Sequence, residues 1–217
     1  MRKTIFFILI LLISAAGSVT AQDKLIIARV KYSGGGDWYN DPAAIPNLLD
    51  FINRETGIPV ATTEKKVALT DEKLFSYPIL FLTGHGRIRF NEIEVKRLRE
   101  FLNYGGFLYA DDDYGMDKYF HAVMKKVLPK AKFIELPFSH PIYHIHFDFP
   151  GGPPKIHEHD GGPARAYGLF LNGRMVVYYT FDTNISDGWV ATHNDPPKIR
   201  EEAFKMGANI MLWNLMN

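Results

Sequence analysis

Short apolar runs alternate along this chain with longer segments whose apolar residues recur every three or four positions. Leu25-Ile26-Ile27-Ala28-Arg29-Val30-Lys31 is the first run and predicts a strand, which opens into the glycine-rich stretch Tyr32-Ser33-Gly34-Gly35-Gly36-Asp37-Trp38-Tyr39. Ile45, Leu48, Leu49 and Ile52 then share one helical face, with Gly57 placed to stop the helix. Asp41 and Pro42 read as the cap and first residue of that helix. The pattern repeats. Pro78 to Thr83 predicts a buried strand running into Gly84-His85-Gly86, and Asn91 with Glu94 forms a capping-box signature. Ile93, Leu98, Phe101 and Leu102 supply the next apolar face, ended by Gly105-Gly106. Phe107 to Ala110 is a third strand that leads straight into Asp111-Asp112-Asp113. A helix from about Met116 to Val127 is closed by Pro129, and Phe133 to Leu136 reads as a fourth strand.

The rhythm breaks between Pro137 and Pro163, a stretch rich in proline, glycine and histidine. Excursions this long inside a compact domain tend to be functional. Periodicity then returns. Tyr167 to Leu171 and Met175 to Thr180 flank Asn172-Gly173, a strong hairpin signal. Asp195 and Pro196 read as the start of a last helix that runs through Ile199, Phe204, Met206, Ile210, Met211 and Leu215. Strands alternating with capped helices predict one α/β domain with a mostly parallel sheet covered on both faces, plus a C-terminal β-hairpin and helix.

The N-terminus changes the picture. Arg2 and Lys3 precede an uncharged apolar run from Ile5 to Ile13, and Val19-Thr20-Ala21 fits a signal-peptidase site. Residues 1–21 are therefore expected to be a signal peptide and residues 22–217 the mature domain, periplasmic or secreted, with no stable membrane insertion. Cleavage at this site leaves 23 basic residues against 24 acidic ones. That balance speaks against nucleic acid, whose phosphates call for a basic face. The chain contains no cysteine, so no disulfide staples the domain.

Ligands of open parallel sheets bind beyond the carboxyl ends of the strands. Three strands end in unusual polar groups there: the loop carrying Gly34, Gly35, Gly36, Asp37 and Trp38; the turn with His85; and the Asp111, Asp112, Asp113 triplet. The glycines suit either an anion cradle or a turn with positive φ. The aspartates and His85 are the candidate catalytic groups. In the excursion, His144 and His146 form one His-x-His pair and His157 and His159 another. Residues two apart on an extended strand point the same way, so each pair is a candidate clamp for a divalent metal. Histidines also cap loops and stack on aromatic rings, and Tyr143, Phe147 and Phe149 lie close by. His140, Glu158, Asp187, Trp189 and His193 complete the candidate ligand-binding set, the last three as a candidate sugar or peptide site because an aromatic face beside carboxylates suits a sugar.

The stretches ARVKYSGGGDWYNDP, LFLTGHG, GGFLYADDDYGMD, LPFSHPIYH, PKIHEHDG, NISDGW and HNDPP together resemble the domain-of-unknown-function family numbered 4159, grouped with the class I glutamine-amidotransferase-like superfamily. The resemblance covers nearly all of the chain beyond Leu25 and implies a flavodoxin-like three-layer sandwich. It supplies no activity. True amidotransferases carry a cysteine on a strand-to-helix turn, and the corresponding turn here holds aspartates. Two functions remain open at this point. One is a non-catalytic binding or assembly domain for an envelope protein or glycan. The other is a periplasmic hydrolase, possibly metal-dependent, built on aspartate and histidine.

Overall fold

The computed structural model describes residues 24–157, 159 and 161–217. The expected signal peptide and Glu158 lie outside the described residues. Seven strands form one sheet in the order β2-β1-β3-β4-β7-β6-β5. The strands are β1 (Ile27–Lys31), β2 (Lys65–Ala68), β3 (Ile79–His85), β4 (Phe107–Tyr114), β5 (Ile134–Glu135), β6 (Arg165–Leu171) and β7 (Arg174–Phe181). All pairings from β2 across to β7 are parallel, and β5 and β6 add an antiparallel margin. Helices α1 (Ala44–Thr56) and α4 (Pro197–Met216) pack on one face, α2 (Glu92–Asn103) and α3 (Asp117–Val127) on the other. This is a flavodoxin-like α/β sandwich. Among the described residues no helix is long and apolar enough to cross a membrane.

The strands alternate between the two cores as a period-2 pattern demands. Phe107 and Tyr109 enter the core under α1 and α4, while Leu108 and Ala110 enter the one under α2 and α3. Most of the predicted local signals form as read. Asn91 and Glu94 make a reciprocal capping box, and Gly57 ends α1 at φ 71°. Asn172 and Gly173 turn the hairpin with φ of 50° and 83°. The hairpin is part of the main sheet, because β7 pairs with β4 and leaves the predicted fourth strand, β5, at the far edge. Ile93 is exposed, and Val95 takes the buried place on α2. Strand β2 has no apolar signature, since Val67 is its only buried residue.

Both predicted aspartate caps are corrected. Asp41 stands at φ 44° ahead of α1, which starts at Ala44 without a side-chain cap. Pro196 and Pro197 open α4, and Asp195 lies one residue before them. Both carboxylates turn toward the carboxyl-end rim of the sheet, where they bond histidines.

Candidate functional site

The rim is built on a break in register. Thr83 pairs with Asp111 and Gly84 with Asp112, but His85 pairs with Tyr114, so Asp113 is the extra residue of a bulge. Bulges re-aim side chains, here at the end of a buried strand. Gly84 sits at φ 136°, and a Cβ there would fall 2.3 Å from the Tyr32 hydroxyl. Only glycine fits that close approach. The glycine loop packs against this turn, with Gly36 N–H donating to the Arg87 carbonyl and Arg89 N–H donating to that of Ser33. Gly34 and Gly36 therefore serve close backbone packing: a Cβ on either would lie within 3 Å of the Arg87 carbonyl oxygen. Fully buried Arg29 fixes the next stretch by donating to the carbonyls of Trp38, Asn40 and Asp41 and pairing with Glu64 at 2.9 Å. This brings Asp37, Asn40 and Asp41 to the rim.

The three aspartates have three fates. Asp111 accepts from Thr180 Oγ1 at 2.5 Å and from Ser186 N–H at 2.7 Å, which ties β4 to the segment after β7. Asp112 points to the opposite face and accepts from Met116 N–H and the Tyr179 hydroxyl, anchoring the start of α3. Burial pushes each of these carboxyls up to about 6. Asp113 alone enters the rim. It accepts from Asn40 Nδ2 at 2.5 Å and Asn184 Nδ2 at 2.8 Å, and His85 Nδ1 lies 3.1 Å away. Burial and the negative charges of Asp187 and Asp111 hold its carboxyl well above the usual carboxylate range. His85 Nδ1 also lies 3.0 Å from Asp37, and the backbone N–H of His85 donates to the same carboxylate at 2.6 Å. Burial opposes ionisation of Asp37, but these bonds from His85 outweigh it and lower its carboxyl.

A second group faces this one. Ile156 and His157 hang by their N–H groups from the Thr183 carbonyl, in a segment where Asp182 and Asn184 both hold positive φ. Non-glycine residues in that region concentrate at functional sites. His157 Nδ1 lies 3.0 Å from Asp187, and its Nε2 lies 2.8 Å from Asp195. His193 Nε2 lies 2.9 Å from Asp41 and 3.9 Å from Asp187. Burial alone would depress the His193 ring, but its bond to Asp41 and the charges of Asp187 and Asp195 raise it. Ligand atoms of His157, Asp187 and His193 all fall within 4.8 Å of one another, a spacing that can hold one metal ion. Asn184 joins the two groups. Its Nδ2 is 2.8 Å from Asp113, 2.8 Å from His159 Nε2 and 3.2 Å from Asp187, three acceptors for two protons. The buried Asn184 Oδ1 and Asp195 Oδ2 have no hydrogen-bond partner among the described residues.

A model of the domain of unknown function DUF4159 matches residues 26–215. The chain belongs to the DUF4159 family. No curated protein matches it. In this DUF4159 chain, Asp37, His85, Asp113, His157, His159, Asp187 and His193 are the predicted site residues that meet at the rim. Gly34, Gly35 and Gly36 pack behind them in the adjoining loop, and the other described side chains of the set serve elsewhere. His140 caps a short turn and lies with its ring against Trp213. His144 bonds Asp148 and the Phe138 carbonyl, and His146 packs edge-on against Phe147. The excursion is not extended there, because residues 141–143 form a 3-10 turn, so the His144 and His146 pair lacks the strand geometry assumed for it. Trp189 is fully buried against Phe81 and Tyr109 and donates to the Ala203 carbonyl, which makes it a core residue. Trp38 lies half-buried under Lys31. Asn40, Asp41, Asn184 and Asp195 are the additions. Asp41 and Asp195 each stand in an Asn-Asp-Pro tripeptide, and that recurrence was the available signal.

Proposed function

We propose that the DUF4159 chain is an exported hydrolase that uses one divalent metal ion, with the rim as its active site. His157, Asp187 and His193 hold the metal, and Asp113 with His85 handles protons. The observation that carries this reading is the convergence of two histidine nitrogens and a buried carboxylate within 4.8 Å of one another. Asp195 on the far nitrogen of His157 supports it, because metal-ligating histidines almost always place their second nitrogen on a carboxylate or carbonyl. Two imidazoles and a carboxylate suit zinc or a neighbouring first-row ion and leave coordination positions open. Such an ion supplies Lewis-acid activation of water and of a polar substrate bond. The chain's own part is acid–base. A carboxyl held above its usual range at Asp113 keeps a proton available near neutral pH, and His85 bridges it to ionised Asp37. The strand order from β2 to β7 supports a class I glutamine-amidotransferase-like scaffold. Glutamine hydrolysis through a cysteine is excluded, since the chain has none.

The test is elemental analysis of the purified mature protein, with turnover measured on a panel of ester, amide and glycosidic substrates. The expected result is about one equivalent of metal, lost in His157→Ala and His193→Ala and kept in His144→Ala and His146→Ala. A fully stable metal-free wild-type protein would end the metal reading. Metal bound without any turnover would instead favour the binding or assembly domain. N-terminal sequencing of exported protein checks the other half, with Gln22 expected as the first residue.

A further inference from the structure

The rim is crowded with carboxylates and repels anions, yet a cluster of cations without acidic partners adjoins it. Arg87 follows His85 by two residues, a separation of at most about 7 Å between Cα atoms. Arg87, Arg89, Tyr119 and Lys126 line a cavity of about 330 Å³, whose wall includes Gly34 of the glycine loop. Among the described residues, no ion pair involves Arg87, Arg89, Lys118 or Lys126. Exposed basic side chains are usually either solvated singly or neutralised by a nearby carboxylate. Here Arg87 and Lys118 meet one tyrosine while Arg89 and Lys126 line the same cavity, none of them in an ion pair among the described residues. Arg87 Nε donates to the Tyr119 hydroxyl at 3.2 Å, and Lys118 Nζ lies 5.1 Å from the centre of the same ring. The bond from Arg87 and the charge of Lys118 lower the phenol from its ordinary value.

The backbone under these side chains is held in place. The loop from 86 to 89 is pinned by Gly36 N–H to the Arg87 carbonyl, by Arg89 N–H to the Ser33 carbonyl, and by the Ser33 hydroxyl to the Arg89 carbonyl. Arg87 and Arg89 therefore start from fixed backbone positions. A guanidinium presents a planar fork that matches tetrahedral oxyanions.

We propose that this cavity is an oxyanion subsite that binds a phosphoryl or sulfuryl group on the substrate of the neighbouring rim. The proposal rests on the hydrolase reading and adds a substrate class to it: a molecule with a tetrahedral oxyanion at one end and the reacting bond within reach of His85 and Asp113. The oxyanion is the handle, and the acid-rich rim receives the rest.

The test uses inorganic phosphate as probe, titrated at constant ionic strength into metal-free mature protein and followed by backbone amide shifts. Wild type is expected to bind saturably, with the largest shifts at Gly34 and residues 87–89. Arg87→Gln/Arg89→Gln is expected to weaken binding about tenfold or more, the range of a lost charge-assisted fork. Lys126→Glu is expected to weaken it as well, and sulfate to compete with phosphate. These positions are exposed, so circular dichroism of both variants should match wild type. His193→Ala should bind phosphate like wild type, which separates this subsite from the metal. Failure of metal binding would sink the hydrolase reading and leave the titration intact. The subsite is overturned if wild type shows no saturable binding, if the arginine variant binds as tightly as wild type, or if acetate binds as well as phosphate.

Discussion

The two halves of the excursion between Pro137 and Pro163 carry histidines at the same spacing and use them in opposite ways. In the first half His144 and His146 face local partners, His140 lies against Trp213 of α4, and the segment is held to that helix by Asn209, whose side-chain amide bonds both N–H and C=O of Phe147 at 2.9 and 2.7 Å. In the second half His157 and His159 reach Asn184 and Asp187 in the segment after β7 and Asp195 before α4. The aspartate triplet divides the same way, with Asp111 and Asp112 spent on holding segments together and Asp113 turned into the rim. A polar residue whose bonds hold its own segment in place serves the fold first. One whose partners come from distant segments sits where those segments meet, at the rim.

The largest effect should come from breaking the anchor of the first half. Asn209→Ala leaves two half-buried backbone groups without this partner and is expected to destabilise the protein by about 2 kcal/mol, read by chemical denaturation. If the halves are as separate as described, metal affinity at the rim should change little in this variant once it is folded. Next comes Asp195→Asn, which keeps the shape of the carboxylate behind His157 but not its charge. A loss of about 10- to 100-fold in metal affinity is expected, with little change in melting temperature. An unchanged affinity would make Asp195 a loop residue of the first kind.

A smaller effect, in pH dependence, belongs to Asp112. The Asp112 carboxyl sits at about 6 in the folded chain and near 3.8 as its ordinary value. The folded state thus holds this proton more tightly than the unfolded one. Its contribution to stability is present in full below the lower value and is lost as pH rises through about 6. Asp112→Asn keeps a neutral group there at every pH, so the gap between melting temperatures at pH 5 and pH 8 should narrow. The smallest effect belongs to His144→Ala, an exposed residue paired with exposed Asp148. A stability change within about 0.5 kcal/mol is expected, seen in the same denaturation series.

What could be read from the residues alone follows from how far each signal travels. The capping box at Asn91 and the turn at Asn172-Gly173 depend on neighbours within four residues, and both form. Asp41 and Asp195 carry the same local cap signal, yet their partners lie 152 and 38 residues away, and those contacts win. Trp189 beside Asp187 looks like a sugar platform until burial, a property of the whole fold, places its ring under α4. Strand β2 escaped because an edge strand with one buried residue has no apolar pattern to read. The convergence of the glycine loop, His85 and the aspartate turn at one rim was legible, because parallel topology forces strand ends together.

The extra residue in β4 makes the rim a matter of counting. Had the ladder with β3 continued in phase, Asp113 would have been matched to His85, as Asp112 is to Gly84. The surplus position instead lets Tyr114 take that pairing and bring its ring 4.9 Å from that of His159. Shortening the triplet by one aspartate would therefore restore a regular ladder and pull the acid away from His85 in the same step. A chain so edited would keep its sandwich and lose the third carboxylate of its rim, and length at this turn is as much a specification of the protein as the letters that fill it.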